Sequence, residues 1–100
     1  MNRFARKIDG NQGVIIAALR KIGVQVIDMS RAGSGMTDLI CFYRGFTYPC
    51  EVKNGLKTPS QKCLTADQIK FHDTARAAGV MIPIFESVND ALRFFGAPVE

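Results

Sequence analysis

Three charged side chains flank two apolar segments of this 100-residue chain. Asp38 comes directly before residues 39–43, and Glu51 and Lys53 follow residues 46–50. Charged groups are uncommon in segments whose composition favours burial, and where they occur they often belong to a functional site. Two acids and a lysine brought together would be suited to binding a divalent cation and acting on a phosphate.

Counting along the chain predicts that the two acids are neighbours. If Arg44-Gly45 is a two-residue hairpin loop, Asp38 faces Glu51 in a non-hydrogen-bonded pair, where side chains approach most closely. Lys53 then projects from the same face as Glu51. Arginine is not a preferred first residue of such a loop, and a three-residue loop would make the pairing of the acids diagonal.

The acids and Lys53 form a set suited to phosphodiester hydrolysis. Mg²⁺ accepts two carboxylate oxygens, a backbone carbonyl such as that of Val52, and several waters. Such an ion acidifies a bound water and neutralises charge on the phosphate, while the ammonium of Lys53 orients the water or stabilises the developing charge. The alternative interpretation is a surface ion-pair cluster at the strand ends, since three common residue types often recur at this spacing by chance.

Three longer segments carry a resemblance to a known family. They are Gly35-Met36-Thr37-Asp38-Leu39-Ile40, Glu51-Val52-Lys53-Asn54-Gly55 and Leu64-Thr65-Ala66-Asp67-Gln68-Ile69-Lys70-Phe71-His72. Together they closely resemble the VRR-NUC (virus-type replication-repair nuclease) family of the PD-(D/E)xK superfamily, and the likeness runs from the first helix to the last strand. The resemblance implies a Mg²⁺- or Mn²⁺-dependent DNA endonuclease with Asp38, Glu51 and Lys53 as its catalytic motif and Gln68 at the active site.

The chain departs from the family pattern at two positions. Thr37 stands where the family usually has proline, a residue without a catalytic group. The family often has a glutamate on the first helix, whereas this chain has Gln12, which would serve as a neutral contact to water or metal. The missing carboxylate weakens the case for a second tightly held metal.

Resemblance to stand-alone viral members of the family implies a substrate and an assembly. It implies a homodimer acting on branched DNA such as a Holliday junction, in replication, repair or recombination within the cytoplasm of a bacterium or a phage-infected host. One alternative is a nickase or flap nuclease within a larger replication or packaging complex. The other is a noncatalytic DNA-binding module that has kept the fold.

The net charge of +4 is distributed unevenly along the sequence. Residues 1–62 carry a balance of +6 and residues 63–100 a balance of −2. A basic surface beside the acids suits contacts to DNA phosphates that do not read sequence, and the alternative is a solvated face. The residues expected to contact DNA are Arg31, Ser34, Lys57, Ser60 and Lys62.

Length and composition predict a single domain over residues 1–100. The hydrophobic share of 47% suits a folded protein, and the three cysteines lack the spacing of a zinc site or a disulfide framework. Neither a signal sequence nor a membrane-length apolar stretch is present. We therefore expect an intracellular protein with no membrane partner and no nucleotide cofactor.

Hydrophobic periodicity predicts the order αβββαβα, an α/β fold with a short C-terminal helix. The family resemblance implies that its αβββαβ core is restriction-endonuclease-like. The mixed four-stranded sheet is flanked by helices, and a crossover makes the last strand parallel to the third. Asn11 and Ser87 are the expected caps of the first and last helices. The first two predicted helices cover residues 11–22 and 65–78, and the third begins at residue 87. The predicted strands cover 24–29, 37–43, 46–52 and 80–85.

Gln68 has a structural alternative to an active-site role. Thr65 and Gln68 match a capping box, in which the glutamine side chain bonds to the backbone at the start of the helix. The two roles are compatible. His72 lies one turn later on the same helix face, and it is not included in the catalytic set because a lone helix histidine is more often a packing or surface residue.

Overall fold

The computed structural model describes residues 10–32, 35–56 and 63–100. This part of the chain contains a four-stranded mixed sheet and three helices in the predicted order αβββαβα. None of these helices has the length and apolar character needed to cross a membrane. The elements are α1 (Gln12–Lys21), β1 (Gln25–Asp28), β2 (Leu39–Tyr43), β3 (Phe46–Val52), α2 (Ala66–Ala77), β4 (Ile84–Phe85) and α3 (Val88–Phe94).

The β2–β3 hairpin has the register predicted by counting. Tyr43 pairs with Phe46 next to the loop, and the ladder continues outward to the pair Leu39 and Cys50. The loop residues Arg44 and Gly45 have φ values of 51° and 86°. Both values are positive, as a type I′ turn requires, so the two-residue loop forms although arginine is not a preferred residue there.

The sheet order is β1-β2-β3-β4, with the first three strands antiparallel and β4 parallel to β3. The prediction of a strand over 80–85 was too long, because β4 contains two residues only. The backbone N–H of Glu51 donates to Pro83 O, directly before β4, and that of Lys53 donates to Phe85 O within β4. Every second residue of β3 donates on this side, so Pro49 would be the next donor after Glu51. Proline has no N–H, and the parallel pairing of β3 with the segment before β4 therefore ends there.

One face of the sheet forms the hydrophobic core with α1 and α3. Tyr43 and Tyr48 pack edge-on against Phe95, which directly follows α3. Phe46 is 66% exposed because it lies at the hairpin end, where its ring is 6.3 Å from that of Tyr48 between centroids. The buried core consists of Ile15, Ile16, Leu19, Val24, Val26, Leu39, Cys41, Cys50, Val52, Phe85 and Ala91.

The opposite face of the sheet is covered at one end by α2. Cys50, Glu51 and Val52 are buried in succession, and neighbouring strand residues point to opposite faces, so both faces are covered there. Cys50 and Val52 belong to the core, which directs Glu51 to the other face. The buried residues of α2 are Gln68 and His72, both polar. This helix therefore attaches to the sheet largely through polar side chains.

Two of the three helices begin at the predicted caps. Thr65 starts α2 with a complete capping box, and the Ser87 side chain caps α3. Asn11 occupies the cap position of α1 but its side chain makes no cap hydrogen bond, so that prediction was wrong. Its Nδ2 donates instead to Lys53 O and Glu86 O, each at 3.1 Å, and this ties the start of α1 to the ends of two strands.

Candidate active site

Asp38 and Glu51 meet where β2 separates from β3. The Asp38 backbone N–H donates to Glu51 Oε1 at 3.2 Å, and Asp38 Oδ2 accepts from the Val52 backbone N–H at 2.8 Å. Counted outward from the hairpin loop, the last pair of the regular ladder is Leu39 with Cys50, directly before the two acids. The Asp38 carboxylate thus takes the place of the next backbone acceptor. The two acids are neighbours, as the hairpin register predicted.

Both carboxyl groups are removed from solvent. Glu51 is 0% exposed and Asp38 is 6% exposed. Burial, followed by the hydrogen bond and negative charge of Asp38, raises the pKa of Glu51 from 4.5 to about 8. Lys53 opposes this rise, but its effect is the smaller one. Two buried acids side by side are unfavourable when both are ionised, so the site favours either a proton or an added cation.

His72 contacts the acid pair directly. Its Nε2 lies 3.0 Å from Glu51 Oε2, and both side chains are buried. Burial, and next the charge of Arg76, lowers the pKa of His72 below its usual value of 6.5. The raised pKa of Glu51 and the lowered pKa of His72 both favour the uncharged forms of the two groups, and so favour a neutral hydrogen bond over an ion pair. The sequence offered one signal for this role, the spacing of four residues from Gln68, which places both side chains on one face of α2.

Gln68 caps α2 and also contacts Lys53. Its backbone N–H donates to Thr65 Oγ1 at 3.2 Å, and its Oε1 accepts from the Thr65 N–H at 2.9 Å, which completes the capping box. The same Oε1 accepts from Lys53 Nζ at 3.1 Å. The cap thus holds the amide oxygen in place, and that oxygen holds the ammonium of Lys53 beside the acid pair.

Gln12 lies away from this contact network. It is buried on α1, and its Nε2 donates to Asp28 Oδ1 at 3.1 Å. Asp28 pairs with Leu39 across β1 and β2, so its side chain lies on the core face, whereas Glu51 points to the face covered by α2. A role for Gln12 as a water or metal contact stays a prediction.

The predicted DNA-contacting residues are only partly visible. Arg31 is exposed and lies in the turn that follows the end of β1 at Asp28. The other four residues predicted to contact DNA lie outside the described residues, namely Ser34, Lys57, Ser60 and Lys62. The basic surface therefore stays a prediction from the sequence.

The metal donors available in the described ranges are few. Across residues 10–32, 35–56 and 63–100, no three His, Cys, Asp or Glu side chains form a group that could hold a metal ion. The donors that remain are the carboxylates of Asp38 and Glu51 and the Val52 carbonyl. The backbone N–H groups of Glu51 and Lys53 point to the side of β3 where β4 lies. Neighbouring residues of a strand direct their backbone polar groups to opposite sides, so the N–H and C=O of Val52 point the other way, towards Asp38.

No protein-family model matches the chain, and neither the curated proteins nor the solved structures gave a match. A functional assignment therefore rests on the residues of the site and on their geometry. The relevant groups are two adjacent buried carboxylates, a lysine fixed by an amide oxygen, and a histidine hydrogen-bonded to one of the acids.

Proposed function

We propose that this chain is a divalent-metal-dependent DNA endonuclease with the restriction-endonuclease-like core of the VRR-NUC family. The observation that carries the proposal is the contact network around Asp38 and Glu51. The acids lie side by side, and Lys53 is held next to them by Gln68. A surface ion-pair cluster would be exposed, whereas these two acids are buried and Glu51 has a strongly raised pKa.

The donor set fits Mg²⁺ or Mn²⁺ bound through few protein ligands. Mg²⁺ commonly takes one or two carboxylates and keeps several waters, and Asp38, Glu51 and the Val52 carbonyl would supply such a set. The raised pKa of Glu51 is an independent sign that the site lacks positive charge. When bound at Asp38, Glu51 and the Val52 carbonyl, the ion supplies positive charge for the phosphate and lowers the pKa of a bound water.

The side chains of the chain have distinct tasks in this proposal. The Val52 N–H and the His72 ring fix the carboxylates of Asp38 and Glu51 in position. Lys53 donates to a phosphate oxygen or to the attacking water, and its ammonium stabilises charge that develops on the phosphate. Water adds to phosphorus, and the bond from phosphorus to one sugar oxygen breaks.

The choice of substrate follows from the resemblance and the charge distribution. We propose branched DNA such as a Holliday junction as the preferred substrate, with a homodimer presenting two sites to two strands. The basic balance of residues 1–62 supports a polyanionic partner. Mass measurement in solution tests the dimer independently of activity.

The experiment compares cleavage of labelled four-way junction, flap, single-stranded and linear duplex DNA with Mg²⁺, with Mn²⁺ and with EDTA. The variants are Asp38→Asn, Glu51→Gln and Lys53→Met, and the matched control is Asp73→Asn, which changes an exposed acid of α2. We expect metal-dependent cleavage by the parent and the control, and a loss of about 100-fold or more in each site variant. DNA binding without metal-dependent cleavage would refute the nuclease assignment, and full activity in Glu51→Gln would refute the site.

A noncatalytic DNA-binding module is the second candidate, and one observation favours it. Both oxygens of Glu51 already have partners within the chain, Asp38 N and His72 Nε2, and Glu51 is fully enclosed. In such a module the site variants would bind DNA as the parent does, and added metal would change neither binding nor the unfolding transition. A metal-dependent rise in the stability of the parent, absent from Asp38→Asn, would exclude this candidate.

A further inference from the structure

An open cavity lies between the turn before Asp38 and one side of α2. Its volume is about 410 Å³. Met36 is two residues before Asp38, and Phe71 lies next to His72 on the helix. The residues that line the cavity are Gly35, Met36, Asp67, Lys70, Phe71 and Thr74.

The walls of this cavity are held in a defined position. Gly35 has φ of +89°, in the left-handed region that favours glycine, and a Cβ built there would lie 3.6 Å from Asp67 Cβ. The turn therefore lies close to the first turn of α2. The capping box at Thr65 fixes that same helix end. A site bounded by a tight turn and a capped helix end lowers the entropy cost of ordering its walls when a ligand binds.

The lining suits a flat aromatic ring that carries polar groups. Phe71 and Met36 provide an aromatic ring and a thioether, both favourable partners for a π-system. Asp67 can accept from the exocyclic amine of a base, and Lys70 can contact a phosphate. A cavity of about 410 Å³ is near the lower end of small-molecule sites, which admits one nucleotide but not a duplex.

We propose that this cavity binds an unpaired nucleobase of the DNA strand whose phosphate lies at Asp38 and Glu51. The inference rests on the proposed nuclease function, and it specifies the substrate class as DNA with an unpaired nucleotide next to the cleaved bond. Branch points of DNA provide such nucleotides at little cost because their bases are already partly unstacked. Phe71 is the stacking residue, and Asp67 and Lys70 orient the nucleotide.

A fluorescence measurement tests binding without any cleavage. The chain contains no tryptophan, so Phe71→Trp introduces a single reporter within the cavity. The reporter is titrated in EDTA with a single-stranded oligonucleotide, with the same oligonucleotide made abasic, and with a deoxynucleoside monophosphate. The matched control is Ile69→Trp, on the same helix, 49% exposed and outside the cavity lining.

We expect the base-containing oligonucleotide to quench the fluorescence of the Phe71→Trp variant, while the abasic strand of equal charge does not. Phe71→Ala should weaken binding by about 5-fold to 150-fold, the usual effect of losing one base–aromatic stack. Equal quenching by the abasic strand, or an equal response in Ile69→Trp, would overturn the proposal. Equal affinity for the monophosphate would assign the cavity to free nucleotides instead of DNA.

The outcome is separable from that of the nuclease proposal. Base-dependent quenching without metal-dependent cleavage would refute the enzyme assignment and support the cavity. Cleavage of junction DNA that is unchanged by Phe71→Ala, and by an abasic nucleotide beside the cleaved bond, would support the enzyme and overturn the cavity. If the cavity acts in cleavage, the effects of the variant and of the abasic substrate are not additive, because each removes the same stack.

Discussion

Replacing Glu51 with glutamine should stabilise the protein at alkaline pH and, under the proposed function, should strongly reduce DNA cleavage. The substitution removes a buried negative charge and keeps the shape of the side chain. The amide oxygen can still accept from Asp38 N, and the amide NH₂ can donate to His72 Nε2. The variant thus retains both hydrogen bonds and loses the group whose ionisation the fold opposes.

The size of the effect follows from the pKa of Glu51, which rises from 4.5 to about 8. A raised pKa means that the folded state holds the proton more tightly than the unfolded state. The contribution of Glu51 to stability is therefore fully present below about pH 4.5 and is lost as the pH rises through about 8. The difference corresponds to about 5 kcal/mol, which is comparable to the whole stability of a small domain.

Urea unfolding from about pH 4 to about pH 9 in EDTA measures this difference, with Asp73→Asn as the control for a change of charge. We expect the unfolding free energies of parent and Glu51→Gln to be similar at the acid end, with the variant several kcal/mol more stable at the alkaline end. Saturating Mg²⁺ should restore the parent at alkaline pH, by about 2.7 kcal/mol at a concentration 100 times the dissociation constant, and should leave the variant unchanged. A difference between parent and variant that does not depend on pH would refute the reasoning.

Three further substitutions test the fold around the site by urea unfolding. Gly45→Ala should lower the free energy of unfolding by about 1–2 kcal/mol because φ is +86° there. Gly13→Ala, within α1, should raise it by about 0.5 kcal/mol. Changes of the same sign in the two variants would contradict the assigned turn. Asn11→Ala should lower stability by about 2 kcal/mol because two carbonyls lose their donor, and a change near zero would contradict those bonds. Thr65→Ala should cost about 1 kcal/mol and expose α2 to faster amide hydrogen exchange, whereas Thr65→Ser should retain the cap.

The hairpin that brings the acids together could be predicted because its determinants are local. Two adjoining apolar segments and a two-residue loop ending in Gly45 fix the pairing of Leu39 with Cys50, and Asp38 and Glu51 follow by one step. The short β4 was also within reach of the sequence. Pro49 lacks the N–H that a longer parallel ladder between β3 and β4 would need. This absence limits the length of β4, because β4 pairs only with β3.

The behaviour of Asn11 could not be predicted from local pattern. An asparagine before a helix is most often a cap, and its neighbours along the chain support that interpretation. Its acceptors, Lys53 O and Glu86 O, are 42 and 75 residues away in the sequence. Because the pairing depends on how β3 and β4 meet the start of α1, it becomes visible only in the assembled fold.

The position of α2 could not be predicted for a related reason that bears on function. Hydrophobic periodicity locates a helix by its apolar face, and the buried residues of α2 are Gln68 and His72. Because these side chains bond to Lys53 and Glu51, the helix is placed by the charged groups of the site more than by the core. Natural sequences depart from the usual patterns mainly where function requires it. A buried helix face made of polar residues is thus itself evidence that the acid pair beneath it is a functional site.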